Sequence, residues 1–154
     1  MSKYLSASTK IRPFHPTDQA HTQQLILAGL AEHWGTLDPT LNADLNDIAH
    51  SYQGETFLLA VQAQEIVGCG ALIEENGQMG YGRIVRMSIK KENRRQGIGQ
   101  LILNHLETIA SQRHFCKIVL ETTQAWEDAD AFYLANGDQI ICHNLGDKKK
   151  KKNI

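Results

Sequence analysis

Residues 80–122 change their hydrophobic period twice, and this constrains the fold more than any other feature of the chain. GYGRIVRMSIK (80–90) carries Ile84, Val85, Met87 and Ile89 in an extended apolar run, as expected of a central strand. From Ile98 the spacing becomes helical. Ile98, Leu101, Ile102, Leu106 and Ile109 fall at i, +3, +4, +8 and +11, one face of a helix that reaches Arg113. KIVLET (117–122) returns to β-branched residues and reads as a buried strand. A strand, a crossing helix and a second strand make a βαβ unit, which requires parallel pairing. Between its first two elements lies KKENRRQGIG, with Gly97 and Gly99 at the mouth of the helix. Glycine inside a helix costs about 1 kcal/mol relative to alanine. Two of them at this position suggest that something approaches the backbone closely.

The remaining segments fit around that unit. KIRPF (10–14) reads as a short strand ended by Pro13 and Pro16. Thr17 and Asp18 can start a helix over 17–33, with Leu25, Ile26 and Leu30 on its apolar stripe, and Gly35 and Pro39 break it. A second helix is expected at 43–52, where Leu45, Ile48, Ala49 and Tyr52 recur at helical spacing. TFLLAVQ (56–62) and EIVGCGALIEE (65–75) read as strands joined tightly at Ala63-Gln64, and Asn76-Gly77 signals the next turn. WEDADAFYLAN (126–136) reads as a helix stopped by Gly137, and DQIICH (138–143) as the last clear strand. The order β-α-α-β-β-β-α-β-α-β describes an α/β fold: one mixed sheet flanked by helices, antiparallel in its first half and βαβ in its second. A chain of 154 residues suits one such domain, assigned to 1–147, with 148–154 as a basic tail kept extended by repulsion among its lysines.

Charge narrows the function classes. Lys148 to Lys152 supply five of the sixteen basic residues, so residues 1–147, with eleven basic residues against seventeen carboxylates, carry a net −6. That balance, with no interleaving of basic and aromatic residues, argues against a nucleic-acid partner. No apolar stretch approaches membrane-spanning length, so no membrane partner is expected. The N-terminus shows no apolar secretory segment, and three cysteines form no CxxC, which fits a reducing cytoplasm. Seven histidines show no metal-ligand spacing, so no metal is expected. Between Pro13 and Gly82 there are nine carboxylates and no Lys or Arg, whereas Arg83 to Arg95 holds six basic residues against Glu92. The first part therefore looks able to attract cations and the second to hold anions. Two differently charged solvated faces would give the same pattern.

A basic, glycine-bearing loop that opens a helix is a ready anion site. The first-turn N–H groups have no intrahelical acceptor, and the helix dipole favours negative charge there. Gly97 and Gly99 would let a phosphate reach the main chain, while Arg94 and Arg95 would add charge-assisted contacts. The expected ligand is a phosphate ester; an ordinary glycine-rich helix start fits the same residues. GxxxxGK[ST] and GxGxxG are both absent, which argues against a nucleotide-triphosphate loop and a dinucleotide fingerprint.

RMSIKKENRRQGIGQLIL resembles the acetyl-CoA-binding segment of the GNAT superfamily of N-acetyltransferases, with its R/Q-x-x-G-x-G/A pattern at Arg94 to Gly99. FYLANG (132–137) is similar to that family's second signature, and the element order from Ile11 to His143 is similar as well. The resemblance implies acetyl-CoA as acyl-donor cosubstrate. Its diphosphate would be held by main-chain N–H groups from Arg95 through Gln96, Gly97, Ile98 and Gly99 to Gln100. It also implies that Met87, Ser88 and Ile89 splay from the neighbouring strand and pair with the pantetheine arm, with the Ile89 N–H facing the thioester carbonyl.

Direct acetyl transfer to an amine, through a tetrahedral intermediate, needs a neutral amine, donors for the oxyanion and a proton for the leaving thiolate. Tyr133 is the candidate acid; packing beside Phe132 is its alternative reading. Deprotonating an alkylamine of pKa near 10 at pH 7 costs about 4 kcal/mol, so a base or water chain is expected. Glu121 is the first candidate, with Glu32 and His33 as others, and each fits a structural role equally well. In this fold the first helices wall the acceptor site. Glu32, His33 and Trp34 are therefore candidate contacts for a cationic small molecule or peptide amine, with Tyr52 adding a cation–π face. A non-catalytic acyl-CoA-binding regulatory module is the alternative on the same fold, and a homodimer is left open.

Overall fold

The computed structural model describes residues 8–35, 37, 41–75, 80–121 and 138–143; for 33, 34, 121 and 138–143 it describes the backbone only. Among these residues six strands form one sheet in sequence order: β1 (Lys10–Pro13), β2 (Thr56–Gln62), β3 (Glu65–Glu74), β4 (Tyr81–Ile89), β5 (Lys117–Glu121) and β6 (Asp138–His143). The first three pairings are antiparallel, β4 and β5 pair in parallel, and β6 returns antiparallel on β5. This is the mixed α/β sheet expected from the changing period. The expected helix at 126–136, the Asn76-Gly77 turn and the lysine tail lie outside the described residues.

Among the described residues three α-helices accompany the sheet: α1 (Gln19–Trp34), α2 (Ile48–Ser51) and α3 (Ile98–Gln112). Side chains alternate across a strand, and this sorts the core into two layers. Phe57, Leu59, Cys69 and Ala71 face α1 and join Ile26 and Ile48. Leu58, Ala60, Leu72 and Ile84 face α3 and join Ile102 and Leu106. The buried stripe of α3 is Ile98, Ile102, Leu103, Leu106 and Ala110, so Leu103 and Ala110 lie nearer its centre than Leu101 and Ile109.

Two local details differ from the sequence reading. The helix expected at 43–52 is a 3-10 turn at Ala43–Asn46 followed by the four-residue α2. Asp47 divides them: its side chain accepts from His50 N–H, capping a new helix start. The β2–β3 hairpin closes through Ala63 and Gln64 as expected, but both are left-handed, with φ of 49° and 69°. Positive φ at both central positions is the type I′ geometry, one of the two two-residue turns whose twist matches that of the flanking strands.

Candidate active site

The end of β4, the following loop and the start of α3 have the geometry of an anion cradle. Residues 91–93 make a 3-10 turn, Arg95 is left-handed at φ 65°, and Gly97 is the N-cap of α3 at φ 78°. The first intrahelical bond runs from Leu101 N–H to Gly97 O at 3.0 Å, so the N–H groups of Ile98, Gly99 and Gln100 have no acceptor within the helix. No side chain caps this end. A Cβ on Gly97 would meet nothing within 4 Å, so open space lies beside the loop main chain. These features fit a phosphate group.

Gln62, at the end of β2, ties the loop down. Its Nε2 donates to Thr9 Oγ1 at 2.8 Å and to Gln96 Oε1 at 3.0 Å, and its Oε1 accepts from Asn93 Nδ2 at 3.0 Å. Nothing in the local pattern of 56–62 marked Gln62 for this role. Its two partners in the loop are 31 and 34 residues further along the chain, and Thr9 is 53 residues back.

Beside the cradle, β4 and β5 pair in parallel among the described residues from Tyr81↔Lys117 to Ile84↔Leu120, and β4 continues to Ile89. Met87, Ser88 and Ile89 lie beyond these pairs, at the end of β4. Ile89 is buried, whereas Met87 and Ser88 are partly exposed. Glu121 ends β5, and only its backbone is described. Tyr133 lies outside the described residues.

Arg94 and Glu32, assigned separately to cofactor and acceptor, meet directly. The guanidinium grips the carboxylate through Nη2–Oε1 at 2.7 Å and Nη1–Oε2 at 3.0 Å, and Nε donates to Ile89 O at 3.3 Å. These bonds from Arg94, helped by the nearby Lys91 charge, hold Glu32 below the usual carboxylate range despite partial desolvation. A carboxylate so held is a weaker base than a free one. The pair closes one end of a groove of about 1010 Å³ between α1 and residues 89–94, and Arg12–Asp18 stands at the other end. Leu25, Ala28, Ile66 and Ile89 line it between the two pairs. His33 and Trp34 occupy the last turn of α1, where only the backbone is described.

Charges that are separated in the sequence pair in the fold. Arg83 binds Glu75, Arg86 binds Asp44, Lys90 binds Glu65, and Arg113 binds Glu55. With Asp18 and Glu32, six of the nine carboxylates between Pro13 and Gly82 are thus in ion pairs. Simple counting overstated the free negative potential of that half. Tyr52 is also engaged: its hydroxyl donates to Asp44 at 2.6 Å and its ring packs edge-to-face with that of Phe57, centroids 5.1 Å apart. Burial, reinforced by the Asp44 charge, keeps the Tyr52 phenol well above its ordinary pKa.

The sequence profile described as the acetyltransferase (GNAT) family matches residues 20–137, which includes the cradle, β5 and the segment carrying Tyr133. The chain belongs to the GNAT family of acetyltransferases. No curated protein sequence matches it. Among solved structures, a GNAT-family acetyltransferase from Staphylococcus aureus Mu50 is 24% identical, with a TM-score of 0.71 over 81% of this chain and 80% of that one. An acetyltransferase from Streptococcus agalactiae 2603 is 20% identical, with a TM-score of 0.67 over 82% of this chain and 80% of that one. N-acetylglutamate synthase from Neisseria gonorrhoeae, complexed with coenzyme A and L-arginine, is 21% identical with a TM-score of 0.58; the match covers 75% of this chain and 24% of that one. At these identities the likeness to the solved structures is one of fold. Within this GNAT chain no helix among the described residues is long and apolar enough to cross a membrane. Among the same residues no group of three or more His, Cys, Asp or Glu is placed to hold a metal.

Proposed function

We propose that this GNAT chain transfers the acetyl group of acetyl-CoA directly to a primary amine. One observation carries the reading: the start of α3, with no side-chain cap among the described residues and open space at Gly97, lies next to the end of β4, where Met87, Ser88 and Ile89 have no β5 partner among the described residues. A cofactor with a diphosphate joined to an amide-bearing arm matches both halves. The N–H groups of Ile98, Gly99 and Gln100 hold the diphosphate, with the main chain of Arg95, Gln96 and Gly97 shaping the approach. The main chain of Met87, Ser88 and Ile89 receives the pantetheine amides as an added strand would. Arg94 has two anions competing for it. Its pair with Glu32 is partly exposed, and such pairs are worth about 0–1 kcal/mol, so a diphosphate can draw it off at small cost.

In the transfer step the amine nitrogen attacks the thioester carbon, the C–N bond forms and the C–S bond breaks. The Ile89 N–H donates to the carbonyl oxygen as charge builds on it. Tyr133 supplies the proton taken up by the departing thiolate, and Glu121, directly or through water, accepts the proton lost by the amine. Glu32, His33 and Trp34 at the end of α1 receive the acceptor. A cationic amine is supported there by Glu32 once the diphosphate has drawn Arg94 away from it, not by the general acidity of the first half, most of which is paired.

A free-thiol assay with acetyl-CoA across a panel of amines tests the proposal, run beside Tyr133→Phe and Glu121→Gln. The expected result is turnover on polyamines or peptide amines, at least 10-fold slower in each variant. Tight coenzyme A binding without turnover on any amine, and with Tyr133→Phe indistinguishable from the parent, would establish a non-catalytic binding module instead.

A further inference from the structure

The middle of β4 contains a conformation that the cofactor cradle does not explain. Arg86 has φ 59°, uncommon for a non-glycine residue and unexpected inside a strand. The register shows the cause. Cys69 faces Ser88 and Ala71 faces Val85, so Gly70 alone stands opposite both Arg86 and Met87. This is a β-bulge, which bends a strand and increases its twist. Gly70 suits the position for steric reasons: a Cβ there would come within 2.3 Å of Met87 Sδ and 2.9 Å of Ile102 Cγ2. The bulge begins two residues past Ile84, which pairs with Leu120 of β5.

A left-handed arginine persists where its surroundings hold it. Here the hold comes from a distant part of the chain, the connection between α1 and α2. Arg86 Nη2 donates to Asp44 Oδ1 at 2.7 Å and to Asn42 Oδ1 at 3.1 Å, and Nε donates to Asp44 Oδ2 at 3.1 Å. Tyr52 donates to the same Asp44 carboxylate, and the Arg86 carbonyl accepts from the buried Cys69 thiol at 3.2 Å. The fork-to-fork pair fixes the guanidinium in orientation as well as position. All the polar contacts of the cluster are partly buried.

We propose that Arg86 is a positioning residue: anchored by Asp44 and Tyr52, it holds the β4 bulge and so aims the main chain of Met87, Ser88 and Ile89 at the pantetheine arm. The inference rests on the acetyl-CoA reading above and adds to it the device that directs the strand. It also links the connection beside the acceptor wall to the strand that carries the donor. An ion pair serving only to fasten residues 41–52 would lower stability when removed and leave cofactor discrimination unchanged.

The test measures that discrimination directly. Calorimetry on the full chain compares acetyl-CoA with 3′-phospho-ADP, which has the same nucleotide and diphosphate but no pantetheine. The ratio of the two affinities reads the contribution of residues 87–89, whatever the acceptor. Arg86→Met removes the anchor and leaves the left-handed conformation to a side chain that resists it; the ratio is expected to fall about 10-fold, with 3′-phospho-ADP affinity within 2-fold of the parent. Arg86→Gly also removes the anchor but tolerates the positive φ, and should recover most of the ratio. Asp44→Asn, which keeps Arg86, should lower the ratio about 3-fold, and it carries the test should Arg86→Met fail to fold. A ratio unchanged in Arg86→Met and Asp44→Asn, or no recovery in Arg86→Gly, overturns the proposal while leaving the acetyl-CoA reading intact. Failure of the parent chain to bind either ligand overturns both.

Discussion

Replacing Gly97 separates a fold effect from a ligand effect at one position. Gly97 sits at φ 78° and ψ 12°, and a Cβ there would touch nothing within 4 Å. Gly97→Ala therefore incurs a conformational cost without a clash, about 1–2 kcal/mol for an alanine in the left-handed region. The smaller entropy of the unfolded alanine chain offsets about 0.4–1 kcal/mol of that. The net loss, about 1 kcal/mol, corresponds to a Tm decrease of about 2–4 °C for a domain of this size. The same Cβ projects into the space assigned to the diphosphate. Displacing one charge-assisted contact to a main-chain N–H costs about 1.5–3 kcal/mol, or about 10- to 150-fold in Kd. Urea denaturation reads the first effect and calorimetry with coenzyme A the second. Gly97→Asn, which tolerates the left-handed conformation better, should regain much of the stability and none of the affinity. If Gly97→Ala loses stability as expected but binds coenzyme A with the parent's Kd, the open space is not where the diphosphate lies, and the cradle assignment fails.

Three further expectations follow from the packing and charges. Ile102, fully buried under the sheet, should lose about 2–5 kcal/mol of stability as Ile102→Ala, read by the urea midpoint at constant m. Hydrogen bonds from Arg12 hold Asp18 below its ordinary pKa; at Asp44 burial pushes upward, but bonds from Arg86 and Tyr52 outweigh it and the net shift is downward. The unfolded chain thus binds protons at these sites before the folded one does, so their stabilisation is complete above about pH 4 and lost as pH falls further. Asp44→Asn should flatten that acid slope of stability, and an unchanged slope would remove Asp44 from the account. Burial raises the Cys69 thiol to about 12, whereas Cys116 is exposed. Brief alkylation of the native protein at pH 8, followed by peptide mass analysis, should label Cys116 and spare Cys69; equal labelling would contradict the packing of β3.

The secondary structure in the described part of the chain was legible because its signals are local. A change from alternating to helical spacing between Ile89 and Ile98 specifies a strand, a turn and a helix within a few residues of one another. The same holds for β2 and β3. The 43–52 segment misled because Leu45 and Ile48 are both fully buried at helical spacing, while Asp47 between them caps a new start instead of continuing the first turn. Periodicity reports which residues are buried, and two short turns can bury the same ones.

The sequence by itself determined the order of the described elements, the βαβ crossover and the glycine-bearing loop at the head of α3, since each depends on contacts within one or two turns of chain. The tertiary structure alone decided where the charges went. Arg86 meets Asp44 across 42 residues, Arg94 meets Glu32 across 62, and Arg113 meets Glu55 across 58. It also decided that an arginine would stand left-handed in a central strand. The physical reason is common to both: ion-pair partners and bulge registers are set by which surfaces the two-layered core brings face to face, and no local spacing records that.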